Sequence, residues 1–100
     1  MKKNFRTYNL AVQFYQSCQQ LTLRGDARSQ LDRAARSVAL NLAEGSGRKR
    51  GKDQKRFYTI AFASLRECQA SLELERIENP DLLILADKLV AHLYCLLRES

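Results

Sequence analysis

Helix-breaking residues are scarce in this chain, since its 100 residues include one proline and four glycines. Strand signals are also missing, because no stretch alternates apolar and polar residues and no hairpin turn dipeptide joins strand-like runs. A chain of this length is expected to form one domain, here residues 1–100. These absences exclude β and mixed classes and predict a single all-α domain.

Residues that hold metals or form disulfides are few. Cys18, Cys68 and Cys95 lie far apart without a CxxC pair, so no disulfide framework is predicted. They are expected to be reduced, buried small apolar side chains of a cytosolic protein. His92 lies three residues before Cys95, but this pair supplies only half of the ligands of a structural zinc site. We expect no metal, no cofactor and no catalytic residue.

A long uncharged apolar run is absent as well. The most apolar stretch, Leu82 to Leu97, contains Asp87, Lys88 and His92, so it is not predicted to span a membrane. Polar side chains interrupt the residues after Met1 and no small-residue cleavage site follows, so no secretory leader is predicted. A cytoplasmic protein without a membrane partner is the expectation.

Apolar residues recur at helical spacing in four segments, at about residues 5–20, 26–46, 53–76 and 80–98. Short connections make consecutive helices antiparallel, so the predicted fold is an antiparallel up-down four-helix bundle. The predicted core stripe of the third helix consists of Phe57, Ile60, Ala61, Ser64, Leu65, Cys68 and Leu72.

Polar residues and glycines mark the predicted helix ends. Asp26 and Asp53 are candidate N-caps of the second and third helices. Gly45 or Gly47 is predicted to end the second helix in the left-handed conformation. Asn79 precedes a proline and an acid, a combination that predicts the start of the fourth helix.

The fourth helix is more apolar than a single core-facing stripe requires. Its apolar residues are Leu82, Leu83, Leu85, Ala86, Leu89, Val90, Leu93, Leu96 and Leu97. The excess favours a second buried contact with another subunit, because a short chain alone buries a modest fraction of its surface. The alternative is a helix that is simply central in the bundle.

Charge is unevenly distributed beneath the net value of +6. Residues 1–66 carry fourteen Lys and Arg against four Asp and Glu, a balance of +10. Residues 67–100 carry three against seven, a balance of −4. This segregation favours a polyanion at one end and cationic partners or sister subunits at the other.

Cations concentrate between the second and third helices: Arg48, Lys49, Arg50, Lys52, Lys55 and Arg56. The spacing differs from that of a P-loop, since five residues separate Gly45 from Gly51 and neither Ser nor Thr follows Lys52. Sequence-tolerant contacts to nucleic-acid phosphates are therefore predicted, the alternative being an ordinary solvated loop. Any base stacking is assigned to Tyr58, because Phe57 belongs to the predicted core stripe.

One side of the second helix carries a polar ladder. Arg33, Ser37, Asn41 and Glu44 fall within an arc of about 80° on the helix surface. From the residues alone, the ladder is either a solvated face or a polar seam against another helix. Arg33 and Arg36 are candidate extensions of the basic surface.

Two blocks of this sequence resemble a known family. Residues 30–45 read QLDRAARSVALNLAEG, and residues 56–67 read RFYTIAFASLRE. Their spaced identities resemble the four-helix-bundle proteins encoded in intervening sequences of bacterial 23S ribosomal RNA genes. That family includes accessory proteins of diversity-generating retroelements. One departure is the run of residues 23–26, LRGD, where the family usually has Phe-Pro before an acidic residue.

The resemblance implies a homopentameric barrel of four-helix protomers without catalysis. For the retroelement branch it implies nucleic-acid binding through a basic surface and association with a reverse transcriptase. It also favours packing, within or between subunits, for the polar residues of the second and third helices. The residues assigned to this packing or oligomer seam are Ser37, Asn41, Glu44, Ser64 and Glu67.

The expected function is that of a non-enzymatic, oligomeric accessory protein that binds RNA or DNA. The alternative is a protein-interaction scaffold, such as a reverse-transcriptase-binding accessory protein, that uses the acidic C-terminal third or the apolar fourth helix. The residues expected to contact nucleic acid are Arg48, Lys49, Arg50, Lys52, Lys55 and Arg56, with Arg33 and Arg36 as extensions.

Overall fold

Four α-helices make up the computed structural model, which describes residues 3–100. The helices are α1 Lys3–Gln19, α2 Gly25–Ser46, α3 Lys52–Leu74 and α4 Pro80–Glu99. No strand occurs among the described residues, so the prediction of an all-α, four-helix fold is confirmed. Met1 and Lys2, which open the segment predicted to lack a secretory leader, lie outside the described residues.

Each helix packs against two neighbours, so the four helices occupy the corners of a bundle. α2 lies between α1 and α3, and α4 contacts the same two helices from the other side. α2 and α3 run antiparallel. Arg33 of α2 pairs with Glu67 of α3, and Ser37, further along α2, contacts Ser64, which precedes Glu67 in α3. The connection of residues 47–51 therefore lies at the opposite end of α3 from that of residues 75–79.

The core face of α3 differs from the predicted stripe. Its buried residues are Tyr58, Ala61, Leu65, Cys68 and Leu72, whose spacings of three and four residues follow one helix face. Tyr58 is 2% exposed, whereas Ile60 is 39% exposed and Phe57 and Ser64 are half-buried. Assigning Phe57, Ile60 and Ser64 to the core was wrong, because these three side chains lie toward the edge of that face.

The first connection is held by one arginine. The Arg28 guanidinium donates to the backbone oxygens of Cys18, at 3.1 Å, and Leu21, and it pairs with Asp32 at 2.8 Å. Cys18 and Cys68 are buried and free, as predicted, but Cys95 is exposed. Desolvation by burial raises the pKa of Cys18 to about 12 and also raises that of Cys68, so both stay protonated near neutral pH.

The helix ends correct two predicted N-caps. Arg24 and Gly51 are the N-caps of α2 and α3, and neither contributes a side-chain bond. Asp26 and Asp53 lie instead within the first turns, where a carboxylate favours the positive end of the helix dipole. The prediction for α4 is confirmed, since Asn79 Oδ1 accepts from the backbone nitrogen of Leu82 at 3.1 Å.

The surface of α4 keeps apolar side chains outside the bundle. Its buried residues are Leu82, Ala86, Leu89, Leu93 and Leu96. Leu83, Ile84 and Tyr94 are exposed, with Ile84 at 64%. The protomer therefore does not enclose the whole helix. Within residues 3–100, none of the helices has the length and apolarity needed to cross a membrane.

Candidate nucleic-acid interface

The connection between α2 and α3 turns without a left-handed residue at the end of α2. Gly47 has φ −84°, and only Gly25 and Gly51 are glycines with positive φ among residues 3–100. The predicted left-handed position at Gly45 or Gly47 is therefore wrong. Gly51, with φ 140°, supplies the positive φ instead, in a region where a side chain would be strained.

Gly45 is buried because the backbone of α2 closely approaches α3. A Cβ atom placed on Gly45 would lie 2.5 Å from Tyr58 Cε1 and 3.3 Å from Phe57 Cβ. Gln54 adds a second tie, because its Nε2 donates to the Gly45 oxygen at 3.0 Å and to the Arg48 oxygen at 3.2 Å. The close approach of Gly45 and the two hydrogen bonds of Gln54 thus hold the connection against the start of α3.

Two of the predicted phosphate-binding arginines already have carboxylate partners. Arg48 lies 3.2 Å from both Glu44 and Asp53, and Arg56 lies 3.2 Å from Asp53. Both guanidiniums also cover the Phe57 ring, at 5.0 Å and 4.4 Å from its centroid. These arginines brace the connection and have part of their charge neutralised.

The other four cations predicted to bind phosphate are exposed, two in the connection and two in the first turn of α3: Lys49, Arg50, Lys52 and Lys55. Within residues 3–100, none of the four forms an ion pair. The N-terminal amides of α3 lie beside them and add positive potential. We call the six cations between Arg48 and Arg56 the basic patch. With Asp53 as the single acid, residues 47–56 carry a net charge of +5.

The basic patch does not include the two arginines predicted as its extensions. Arg33 lies thirteen residues before the end of α2, roughly 20 Å along the helix axis. It pairs with Glu67 and donates to Gln30 at 2.9 Å. Arg36 is exposed on the same helix, ten residues before its end.

The polar ladder of α2 lies along its contact with α3. Ser37 Oγ and Ser64 Oγ are 2.7 Å apart, and Asn41 donates to the backbone oxygen of Ser37 at 2.9 Å. The Arg33–Glu67 pair continues the same line. The Ser37–Ser64 and Arg33–Glu67 contacts join α2 and α3 of one protomer, whereas the Asn41 contact lies within α2. Glu44, assigned to the same seam, pairs instead with Arg48 at the basic patch.

The two neighbouring aromatic residues have exchanged their predicted places. Tyr58 is in the core and cannot stack on a base, so that assignment was wrong. Phe57 is half-buried beneath Arg48 and Arg56. Aromatic stacking therefore contributes little at the patch, and charge dominates its chemistry. Helical spacing alone does not separate the two, since each lies about 50° from the centre of the stripe formed by the other buried residues of α3.

No cluster of three or more His, Cys, Asp or Glu that could hold a metal ion occurs in residues 3–100. His92 is half-buried and engaged in an interaction, and Cys95 is exposed on the same helix. Beside the patch, a cavity of about 390 Å³ is lined by Asn4, Arg50, Gln54, Tyr58, Leu96 and Glu99.

The chain matches a known protein family. A family model described as 23S rRNA-intervening sequence protein matches residues 3–79. The matched range contains α1 to α3 and ends at the N-cap of α4. No curated protein and no solved structure matches the chain.

Proposed function

Because the chain belongs to the 23S rRNA-intervening sequence protein family, we propose that it is a non-enzymatic cytoplasmic accessory protein that binds RNA or DNA. The basic patch is the proposed contact surface. The observation that carries the proposal is the set of exposed cations that have no carboxylate partner within residues 3–100: Lys49, Arg50, Lys52 and Lys55.

Cations of this kind bind phosphates and read little sequence. Each neutralised phosphate releases a counterion, so log K falls with log salt by about 0.7 for each contact on a single strand. Four contacts therefore predict a slope of about −3. Affinity should depend weakly on base sequence, since backbone contacts position a protein without specifying bases.

The proposed assembly is a homopentameric ring, which would present five copies of the patch to one polyanion. Several linked contacts raise avidity far above that of a single patch. Exposed apolar residues on three helices support burial against a second copy: Leu40 of α2, Ile60 of α3 and Ile84 of α4. Multi-angle light scattering measures the mass directly, and a monomer at micromolar concentration would remove the avidity argument.

Charge reversal within the patch tests the nucleic-acid proposal. The variant Arg50→Glu with Lys52→Glu changes two exposed, unpaired cations. Binding of fluorescent single-stranded RNA, measured by anisotropy over a salt series, should weaken at least roughly tenfold. The salt slope should become shallower by about 1.4.

The matched control reverses two exposed cations outside the patch, Arg24→Glu just before α2 and Lys88→Glu near the middle of α4. The net charge changes by the same amount as in the patch variant. Because the reversed cations lie outside the patch, RNA affinity should fall only slightly and the salt slope should be retained. Equal losses in both variants, or wild-type protein that fails to bind RNA or DNA at low salt, would contradict the proposal. Circular dichroism checks that both variants keep their helices.

A protein-interaction scaffold is the second candidate function, and a reverse transcriptase is its proposed partner. An apolar groove between α3 and α4, bordered by acids, supports this candidate. A partner that co-purifies after nuclease treatment, and that is lost on charge reversal at the groove but not at the patch, would favour it.

A further inference from the structure

The outer face of the bundle opens into a groove where α3 ends and α4 begins. Its volume is about 540 Å³, within the usual range of ligand pockets. Leu72 and Ala86 are buried at its base, and Ile77 and Leu83 continue the apolar lining. We call this feature the acidic groove.

Carboxylates surround the acidic groove. Glu73, Glu78 and Asp87 line it together with one cation, Arg76, and Gln69 donates to Asp87 at 3.1 Å. Residues 73–87 contain five acids against one cation, a net charge of −4. No carboxylate of this segment forms an ion pair within residues 3–100. Apolar lining and unpaired acids thus occur together at one place.

We infer that the acidic groove docks a cationic amphipathic segment of a partner protein. Apolar anchors of that segment would cover Leu72, Ile77 and Leu83, while its Lys or Arg residues would pair with Glu73 and Glu78. Burial of apolar area supplies affinity, and complementary charge selects the partner and its orientation. The inference gives a site to the second candidate function and is independent of RNA binding at the opposite end.

Other occupants fit the chemistry less well. A nucleic acid or an anionic lipid surface would be repelled by a net charge of −4. In a second copy of this chain, Arg48 and Arg56 cover Phe57 of the basic patch. The exposed apolar anchors nearest to that patch along α2 and α3 are therefore Leu40 and Ile60, and the mass measurement below tests that occupant. The groove calls for cations and apolar side chains on one segment.

The test uses the full chain and a fluorescent synthetic peptide about four helical turns long. The peptide carries leucines at i, i+3, i+4 and i+7 and lysines elsewhere. Two comparison peptides replace lysine by glutamate or leucine by serine. Anisotropy should show saturable binding of the leucine–lysine peptide and at least roughly tenfold weaker binding of both comparison peptides.

Three protein variants locate the binding site. Glu73→Lys should weaken peptide binding roughly fivefold, and Leu83→Ser roughly tenfold. Asp26→Lys is the matched control, since this exposed acid lies at the same end of the bundle on α2, which does not contact α4. It should weaken binding less than about twofold. RNA binding should persist in all three variants.

Equal weakening by Glu73→Lys and Asp26→Lys would overturn the inference, because only general electrostatics would then be at work. Equal binding of the serine peptide would do the same by removing the apolar anchor. If wild-type protein failed to bind the peptide and its oligomeric mass in light scattering fell on Glu73→Lys or Leu83→Ser, the groove would be assigned to a second copy instead. Glu73 is exposed, so its variant tests the site even if Leu83→Ser unfolds.

Discussion

At one end of α3 the connection of residues 47–51 is basic and tied to α3 by close contacts, whereas at the other end the connection of residues 75–79 is acidic and borders an apolar groove. Gly45 lies against Tyr58, and Gln54 binds two backbone oxygens of the basic end. At the acidic end, Leu74 is 79% exposed, and an apolar groove lies between α3 and α4.

The two ends also form their positive-φ positions differently. Gly51 provides it at the basic end with φ 140°, whereas Arg76 provides it at the acidic end with φ 55°. There the backbone nitrogen of Arg76 donates to the backbone oxygen of Glu73 at 3.1 Å, and the backbone nitrogen of Ile77 donates to that of Leu72 at 3.0 Å. This pair of hydrogen bonds is a Schellman motif. At the basic end, close packing and a glycine at the positive-φ position hold the exposed cations in place. At the acidic end, a non-glycine residue with positive φ is conformationally strained, and apolar side chains stay exposed.

The largest effect is expected at Gly45. Gly45→Ala should destabilise the protein by about 1–2 kcal/mol, because overpacking against the Tyr58 ring exceeds the gain in helix propensity. Thermal unfolding should show a fall in Tm of roughly 4–8 °C for each kcal/mol.

Gly47→Ala is the control for this close approach. A Cβ atom at Gly47 would meet only the Glu44 oxygen at 3.6 Å and the Ala43 oxygen at 3.9 Å, with φ at −84°. This variant should be neutral or slightly stabilising. If both alanine variants gave the same Tm, the packed character assigned to the basic end would be wrong.

Much of the fold follows from the sequence, because helical periodicity and the Asn79 cap depend on nearby residues alone. The core position of Tyr58 was not readable, because Phe57 and Tyr58 lie equally far, about 50°, on either side of the centre of the stripe. Which glycines adopt positive φ was not readable, because that depends on the path each connection takes between packed helices.

The cations of the candidate site could be predicted from the sequence, but which of them are paired with carboxylates could not. Asp53 pairs with Arg48 and Arg56 only once the connection has folded. This pairing distinguishes these two arginines from the four cations that form no ion pair within residues 3–100. The Arg33–Glu67 pair depends on the register of α2 against α3. The acidic groove depends on α3 ending at Leu74, which the sequence pattern extended to Arg76.

An intermediate effect is expected at Arg76. Arg76→Gly should stabilise the protein by about 0.5–1 kcal/mol, because glycine adopts positive φ without the steric cost of a Cβ atom. Urea unfolding measures the change. Arg76→Ala keeps the Cβ atom and should give nearly wild-type stability. A gain of the same size in Arg76→Ala would show that the guanidinium charge, rather than the backbone, is the cause.

The smallest effect compares two acids at equivalent positions, since Asp53 lies in the first turn of α3 and Asp81 in the first turn of α4. Asp53→Asn and Asp81→Asn make the same charge change, and each should cost about 0.3–1 kcal/mol through the helix dipole. Only Asp53→Asn also releases Arg56 from its carboxylate and leaves Arg48 paired with Glu44 alone. It should therefore raise RNA affinity about threefold and steepen the salt slope by about 0.7 for each added phosphate contact. Asp81→Asn should leave the slope unchanged. If the two variants changed affinity and slope alike, the local charge of the basic end would not be what binds nucleic acid.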